Sequence, residues 1–211
     1  LCRLAKEAGS EIMDVYQGQI ETWQKEDASP LTEADLRADK VIRAGLEKEF
    51  PSVFILSEES RSATTEVIPE TLFLVDPLDG TKEFLKRNNE FTVNIALVHQ
   101  GKVIAGVVYA PALNELFYAV EGLGCWKEDA VGKRKLQIQA RDNNKQPLRV
   151  IGSRSHGSDQ LDEWLKTLNR PYQLITIGSS LKFCRVAEGS ADIYPRFGPT
   201  SQWDTAAAQC I

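Results

Sequence analysis

A pair of aspartates at the end of an apolar run is the first feature of this sequence that could do chemistry. Asp76 and Asp79 follow the run Leu72–Val75, with a proline between them and Gly80 directly after. A glycine permits a tight turn, which would bring the second carboxylate back towards the first. Two carboxylates held close together repel each other, or one takes up a proton, unless a cation lies between them. We therefore interpret the pair as a metal site, with a plain turn as the alternative.

The donors around this turn indicate a hard divalent cation. Carboxylates, carbonyls and water suit Mg²⁺, and the turn also exposes the carbonyl of Leu78 as a further ligand. Gly80 and Thr81 begin a predicted helix, whose free backbone N–H groups would suit a phosphate. The hydroxyl of Thr81 could orient a water molecule or simply cap the helix, and the two roles are compatible.

Composition excludes several classes of protein. The 211 residues carry a net charge of −5, so charge alone does not indicate binding to a nucleic-acid polymer. The four cysteines are scattered and only two histidines are present, which argues against a zinc site or a disulfide framework. The sequence shows no signal peptide and no apolar run of the ~20 residues that span a bilayer. We expect a cytoplasmic protein without an integral membrane segment, and leave peripheral membrane association open.

Hydrophobic periodicity predicts two halves of different architecture. The first half is α+β, with helices over residues 1–16 and 32–50 and a hairpin over Phe91–Tyr109. The second half alternates strand and helix, which is typical of α/β structure. Its predicted elements are strand Leu148–Gly152, helix Ser158–Leu168, strand Gln173–Ile177, helix Ser179–Glu188 and strand Ala191–Tyr194.

We place a domain boundary near residues 122–135, giving an N-terminal α+β metal-binding domain, 1–128, and a C-terminal α/β domain, 129–211. The sequence begins with Leu1 within a helical pattern, and its last residues indicate a helix that has only just begun. We therefore expect the sequence to be a fragment, with the second domain truncated at its C-terminus.

Four other acidic residues have simple structural explanations when each is taken singly. Asp35 follows Thr32 at the spacing of a helix capping box. Asp204 opens a predicted helix, where the helix dipole favours an acid. Glu58 and its neighbour Glu59 could be a solvated strand end.

Taken together, these residues resemble the inositol monophosphatase superfamily of lithium-sensitive, magnesium-dependent phosphatases. Asp76–Thr81 resembles the family signature D-P-x-D-G-T, and Trp203–Ala207 resembles its second signature, W-D-x-A-A. Glu58 and Glu59 stand where the family has an acidic pair. The resemblance implies a layered αβαβα sandwich of the inositol monophosphatase and fructose-1,6-bisphosphatase type.

The resemblance also implies a role for each matching residue. Two or three Mg²⁺ ions would be bound by Glu58, Asp76, the carbonyl of Leu78, Asp79 and Asp204. The attacking water would be positioned and deprotonated by Asp35 and Thr81, with help from Glu58. The substrate would contact Gly80, Thr81, Lys82, His156, Ser179, Lys182, Arg196 and Asp204.

Within the superfamily, the bisphosphate nucleotidase branch matches best, because Ser57 precedes the acidic pair and because of the stretches 153–156 and 177–184. This resemblance implies removal of the 3′-phosphate of adenosine 3′,5′-bisphosphate, giving AMP and phosphate, in sulfate assimilation and nucleotide recycling. The partner is then a small nucleotide. Two alternatives stay open: an inositol- or sugar-phosphate phosphatase with the same metal core, and a non-catalytic nucleotide-binding relative.

Overall fold

The computed structural model describes residues 1–24, 30–59, 68–138, 146–155 and 159–211. Within these ranges the strands form a large mixed sheet of seven strands, a parallel pair and an antiparallel pair. In chain order the elements are α1 Cys2–Gln17, β1 Thr22–Gln24, β2 Pro30–Thr32, α2 Glu33–Glu49, β3 Phe54–Ser57, β4 Thr71–Asp79, α3 Thr81–Leu85, β5 Thr92–His99, β6 Lys102–Ala110, β7 Glu115–Val120, β8 Gly124–Asp129, β9 Gly132–Lys135, β10 Leu148–Ser153, α4 Asp159–Thr167, β11 Tyr172–Ile177, α5 Leu181–Ala187 and α6 Gln202–Cys210.

The large sheet has the simple strand order β3 to β9. Strands β3 and β4 are parallel, and each later neighbour is antiparallel. The predicted hairpin is confirmed as β5 and β6, which meet at the pair His99 and Lys102. Strands β10 and β11 form the parallel pair of the second half.

Both faces of the large sheet are covered, which explains why β4 is apolar without alternation. Phe73 and Val75 pack with α1 and α2 in one buried cluster. Leu72 and Leu74, which point to the opposite face, pack with the alanines of α6 in a second cluster. Helices on both sides of one sheet confirm the predicted layered sandwich.

Helix α6 lies unusually close to the sheet because the residues between them are small. A Cβ atom placed on Gly106 of β6 would lie 2.2 Å from the carbonyl oxygen of Ala207, so glycine is required for this approach. Ala206 and Ala208 of the same helix are also buried. This packing fixes the first turn of α6, which carries Asp204, beside the end of β4.

The sequence predictions were wrong at two places. Strand β4 does not end at Val75 but continues to Asp79, with a register irregularity between Asp76 and Asp79. Such irregularities accommodate a proline, which cannot donate to a regular ladder. The predicted strand Ala191–Tyr194 is reduced to one parallel bridge between Val150 and Ile193.

The predicted domain boundary falls on ordered strands. The boundary was placed near residues 122–135, and this range contains strands β8 and β9, which both belong to the seven-stranded sheet. The division at 128/129 stays a prediction.

Among the described residues, no helix combines the length and apolar character needed to cross a membrane.

A group of buried ion pairs connects the large sheet to helix α5. The side chain of Lys127 on β8 is 6% exposed, and its Nζ lies 2.8 Å from carboxylate oxygens of both Glu115 and Glu188. Arg185 of α5 pairs with the same two acids. Burial alone would lower the pKa of Lys127, but its hydrogen bonds to Glu115 and Glu188 raise that pKa above its ordinary value. The group therefore holds α5 against β7 and β8.

We expect Lys127→Ala to lower the free energy of unfolding by about 3 kcal/mol, because it leaves the partly buried carboxylates of Glu115 and Glu188 with less compensating charge. Urea unfolding at neutral pH measures this loss. Lys102→Ala is the matched control, since Lys102 pairs with Glu121 at a side-chain exposure of 69%. That exposed pair is worth about 0 to 1 kcal/mol. Equal losses in the two variants would contradict a structural role for the buried group.

Candidate active site

The acidic residues of the site come from separate parts of the chain. Parallel pairing of β3 with β4 places the carboxyl ends of both strands at one edge of the sheet. There the backbone N–H of Glu58 donates to the carbonyl of Val75 at 3.1 Å, so the backbone of Glu58 lies beside the residue that precedes Asp76. Asp204 reaches the same edge from the first turn of α6.

Glu58, Asp76 and Asp204 form a carboxylate cluster. One oxygen from each lies within 4.8 Å of the others. Burial, and then the charge of Glu58 and the other nearby acids, raises the pKa of Asp76 well above its ordinary value. The cluster thus needs either protons or a cation to balance its charge. Because its donors are oxygens, it fits a hard dication such as Mg²⁺.

Asp79 lies in the same cleft but is held differently. Its Oδ2 accepts hydrogen bonds from Ser180 Oγ at 2.6 Å and from Asn94 Nδ2 at 3.3 Å. Burial raises the pKa of Asp79 to about 6, although the nearby charge of Lys182 opposes the rise. Asp79 is not one of the three acids whose oxygens meet within 4.8 Å among the described residues. Its role as a metal ligand stays a prediction.

Asp35 and Thr81 lie within hydrogen-bonding distance of each other. Oδ2 of Asp35 accepts from the backbone N–H and the hydroxyl of Thr32, which confirms the capping box. Oδ1 of Asp35 accepts from Thr81 Oγ1 at 3.4 Å, and the same hydroxyl lies 3.3 Å from the carbonyl of Leu78. One oxygen of Asp35 therefore caps α2 while the other faces Thr81. The structural and the functional interpretations are compatible.

Asp204 combines two roles in the same way. Its Oδ2 accepts from the backbone N–H of Ser201 and from the hydroxyl of Thr200, each at 2.9 Å. The first of these bonds belongs to a capping box at the start of α6. Asp204 is thereby fixed in orientation while it contributes to the carboxylate cluster.

The carboxylate cluster and Asp79 line a cleft of about 590 Å³, and this volume suits a small organic ligand. Most predicted substrate residues line this cleft, namely Gly80, Thr81, Lys82, Ser179, Lys182, Arg196 and Asp204. His156 lies outside the described residues, so its predicted contact is not placed. Glu58, Asp76, Leu78 and Asp79 line the cleft as well.

The cleft also contains cationic and aromatic groups. Lys182 is buried, donates to the carbonyl of Ser179, and lies 5.5 Å from the centroid of the Tyr194 ring. Burial lowers the pKa of Lys182, and the charge of Arg196 lowers it further. Arg196 is exposed and donates to the carbonyl of Pro199. Acidic and basic groups in one cleft suit a ligand that is anionic and bound partly through a cation.

Sequence reasoning missed three residues of the site. Asn94 and Ser180 contact Asp79, and Tyr194 lines the cleft beside Lys182. A signal existed for Asn94, because it interrupts the apolar run of β5. Burial of an amide costs free energy unless the amide is hydrogen-bonded, so a polar residue at this position indicates a specific partner. Ser180 and Tyr194 have no comparable local signal.

Comparison with known proteins agrees with this geometry. The model of the inositol monophosphatase family matches residues 1–211. The protein named 3′(2′),5′-bisphosphate nucleotidase CysQ of Salmonella typhimurium is 54% identical over 215 residues, covering 100% of this chain and 85% of the relative. The protein of the same name from Escherichia coli K12 is 52% identical with the same coverage.

A solved structure gives the same result. CysQ from Bacteroides thetaiotaomicron, described as a bacterial member of the inositol monophosphatase family, superposes with a TM-score of 0.84 at 39% identity. The match covers 98% of this chain and 82% of that one. The resemblance inferred from the signatures is confirmed, and the chain belongs to the inositol monophosphatase family.

Proposed function

We propose that the protein is a Mg²⁺-dependent phosphatase that converts adenosine 3′,5′-bisphosphate to AMP and phosphate. The observation that carries the proposal is the meeting of Glu58, Asp76 and Asp204 in a cleft that also contains Lys182 and Arg196. The names of the relatives support the bisphosphate nucleotide as substrate. The metabolic setting we propose is the recycling of this nucleotide in sulfate assimilation, in the cytoplasm.

The cation would be held first by the carboxylate cluster. Asp79 and the carbonyl of Leu78 would complete the ligand set for two or three ions. When bound, Mg²⁺ supplies positive charge that polarises the phosphoryl group and lowers the pKa of water. Such help is needed because phosphate monoesters hydrolyse extremely slowly without a catalyst.

Thr81 and Asp35 would handle the proton of the attacking water, with Glu58 assisting. Thr81 Oγ1 can donate its one proton either to Asp35 Oδ1 or to the carbonyl of Leu78, and when the proton is directed to Asp35 its lone pairs can accept from water. A proton leaving the water would pass to Thr81 Oγ1 while the threonine proton passes to Asp35 Oδ1. The capping bonds to the other oxygen of Asp35 hold the carboxylate in place for this transfer.

Recognition of the substrate would depend on the other side of the cleft. Gly80 has φ of 91°, and a Cβ there would lie 3.1 Å from the carbonyl oxygen of Glu90. Glycine thus allows the chain to turn close to the backbone of Glu90 at the start of α3, where we propose that the phosphate binds. Arg196 can donate two parallel N–H bonds to the second phosphate, and Lys182 supplies a point charge. Tyr194 and Phe183, whose rings meet edge to face at 5.0 Å, offer an aromatic surface for the base.

The direct test compares phosphate release from adenosine 3′,5′-bisphosphate and from inositol monophosphate. We expect kcat/KM for the nucleotide to be greater by at least about tenfold, which corresponds to about 1.4 kcal/mol. Turnover should require Mg²⁺ and fall when Li⁺ is added. Faster turnover of the inositol phosphate would favour the sugar-phosphate alternative. Absence of turnover on both, with the nucleotide still bound, would favour the non-catalytic relative.

Asp79→Asn should reduce turnover by about a thousandfold, because bound cations contribute several kcal/mol to charge stabilisation. The fold should survive. Because burial raises the pKa of Asp79 from its ordinary value of 3.8 to about 6, its ionisation lowers stability progressively across that pH range and by the full amount above it. The variant without added cation should therefore melt at pH 7 no lower than the parent. Kinetics and circular dichroism melting measure both effects.

Asp162→Asn is the control for this variant, since Asp162 lies on the exposed side of α4. It should keep full activity. A folded Asp79→Asn protein with near-normal turnover would remove Asp79 from the proposed mechanism.

Arg196→Met should separate the substrate role from the metal role. A hydrogen bond to a charged group contributes about 1.5 to 3 kcal/mol. We therefore expect kcat/KM for the bisphosphate nucleotide to fall about tenfold to a hundredfold, while turnover of a monophosphate stays within about twofold of the parent enzyme. Arg37→Met, which removes a surface arginine paired with Glu33, is the control. Equal losses on both substrates would show that Arg196 does not bind the second phosphate.

A further inference from the structure

Two buried residues outside the predicted site hold Asp79. Ser180 Oγ and Asn94 Nδ2 both contact Oδ2 of Asp79, and Asn94 Nδ2 also donates to Ser180 Oγ at 2.9 Å. Ser180 is 0% exposed and Asn94 is 1% exposed. The three side chains therefore form a hydrogen-bonded group in which Ser180 and Asn94 are buried and Asp79 faces the cleft.

Ser180 has a second contact that extends this group to α6. Its hydroxyl oxygen lies 2.7 Å from the carbonyl oxygen of Asp204. A hydroxyl has one proton, so it donates either to that carbonyl or to Asp79 at a given moment, while it accepts from Asn94. Through one side chain, the start of α5 is joined both to the end of β4 and to the first turn of α6.

Asn94 is placed for this contact by the register of the sheet. It lies opposite Asp76 in the ladder between β4 and β5, in a strand that is otherwise largely apolar. Its Oδ1 has no hydrogen-bond partner among the described residues, so burial of this amide costs free energy. A costly amide at this position is explained if its Nδ2 is needed at Ser180 and Asp79.

The backbone before Ser180 is also constrained. Ser179 has φ of 49°, in the left-handed region that favours glycine. A residue other than glycine in this region costs on the order of 1 kcal/mol, and such strain persists where the surrounding structure holds it. Directly after this residue, where α5 begins, the hydroxyl of Ser180 contacts Asp79 at the end of β4.

We propose that Ser180, supported by Asn94, is a positioning residue for the cation site. It fixes one oxygen of Asp79, and so orients the other, and it ties Asp79 to the segment that carries Lys182. The inference rests on the proposed function for its catalytic meaning. Its physical content, that loss of the hydroxyl weakens cation binding, can be measured without turnover.

The test is the affinity for Mn²⁺, followed by electron paramagnetic resonance in the absence of substrate. Residues that orient metal ligands typically contribute 10–100-fold to affinity. We expect Ser180→Ala to bind Mn²⁺ about tenfold more weakly and to need correspondingly more Mg²⁺ for half-maximal activity, with kcat recovering at saturating Mg²⁺. Ser180→Thr keeps the hydroxyl and should retain most of the affinity.

Ser190→Ala is the matched control, because Ser190 is an exposed serine beyond α5 whose hydroxyl contacts the carbonyl of Arg185 and the carboxylate of Glu188. It should bind Mn²⁺ as the parent does. If Ser180→Ala does not fold, Asn94→Ala tests the same hydrogen-bonded group and should also weaken Mn²⁺ binding.

Unchanged Mn²⁺ affinity in folded Ser180→Ala or Asn94→Ala would overturn the proposal. A lower kcat that excess Mg²⁺ does not restore would do the same, since it would point to a general structural defect. By contrast, a parent protein that binds Mn²⁺ but does not hydrolyse the nucleotide would overturn the proposed function alone.

Discussion

Repulsion between carboxylates that the fold forces together is the constraint on which the rest of this site depends. Two unit charges 4.8 Å apart repel by about 3 kcal/mol at an effective dielectric constant of 20, and three such acids meet here. Desolvation adds to this cost, as the raised pKa of Asp76 shows. A fold would not maintain such a cluster for stability. The arrangement becomes favourable once a dication supplies the missing charge.

Two acids of the site are also stabilised in place because they cap helices. Asp35 and Asp204 each use one oxygen in a capping box, where the free N–H groups and dipole of a helix start favour an anion. Each carboxylate is thereby held in a defined orientation. From the sequence alone, helix capping was an alternative to a role in the site. In the structure, the capping hydrogen bonds are what fixes the orientation of these carboxylates in the site.

Local signals account for what could be predicted from the sequence. The capping box at Thr32, the β5–β6 hairpin and the amphipathic helices are encoded within a few neighbouring residues, and all three are found. The predicted strand ended with the apolar run at Val75, whereas β4 continues through Pro77 to Asp79 because a register irregularity accommodates the proline.

Ser180 could not be predicted as a positioning residue because its contacts are distant in sequence. Ser180 is 101 positions from Asp79, and nothing in its immediate neighbourhood indicates that its hydroxyl meets that carboxylate. The same holds for Lys127 and Glu188, which are 61 positions apart. Only the packing of α5 and α6 on the sheet brings these groups together.

Helix α5 shows how this packing bears on selectivity. Its start is joined by Ser180 to Asp79 and Asp204, and near its end Arg185 pairs with Glu115 of the large sheet. Lys182 lies between these two attachments, so its position relative to the carboxylate cluster is set by contacts on both sides. A different docking of this short helix would move Lys182 relative to the same carboxylates. The choice between a nucleotide and a sugar phosphate would then depend on how α5 is held as much as on which residues face the ligand.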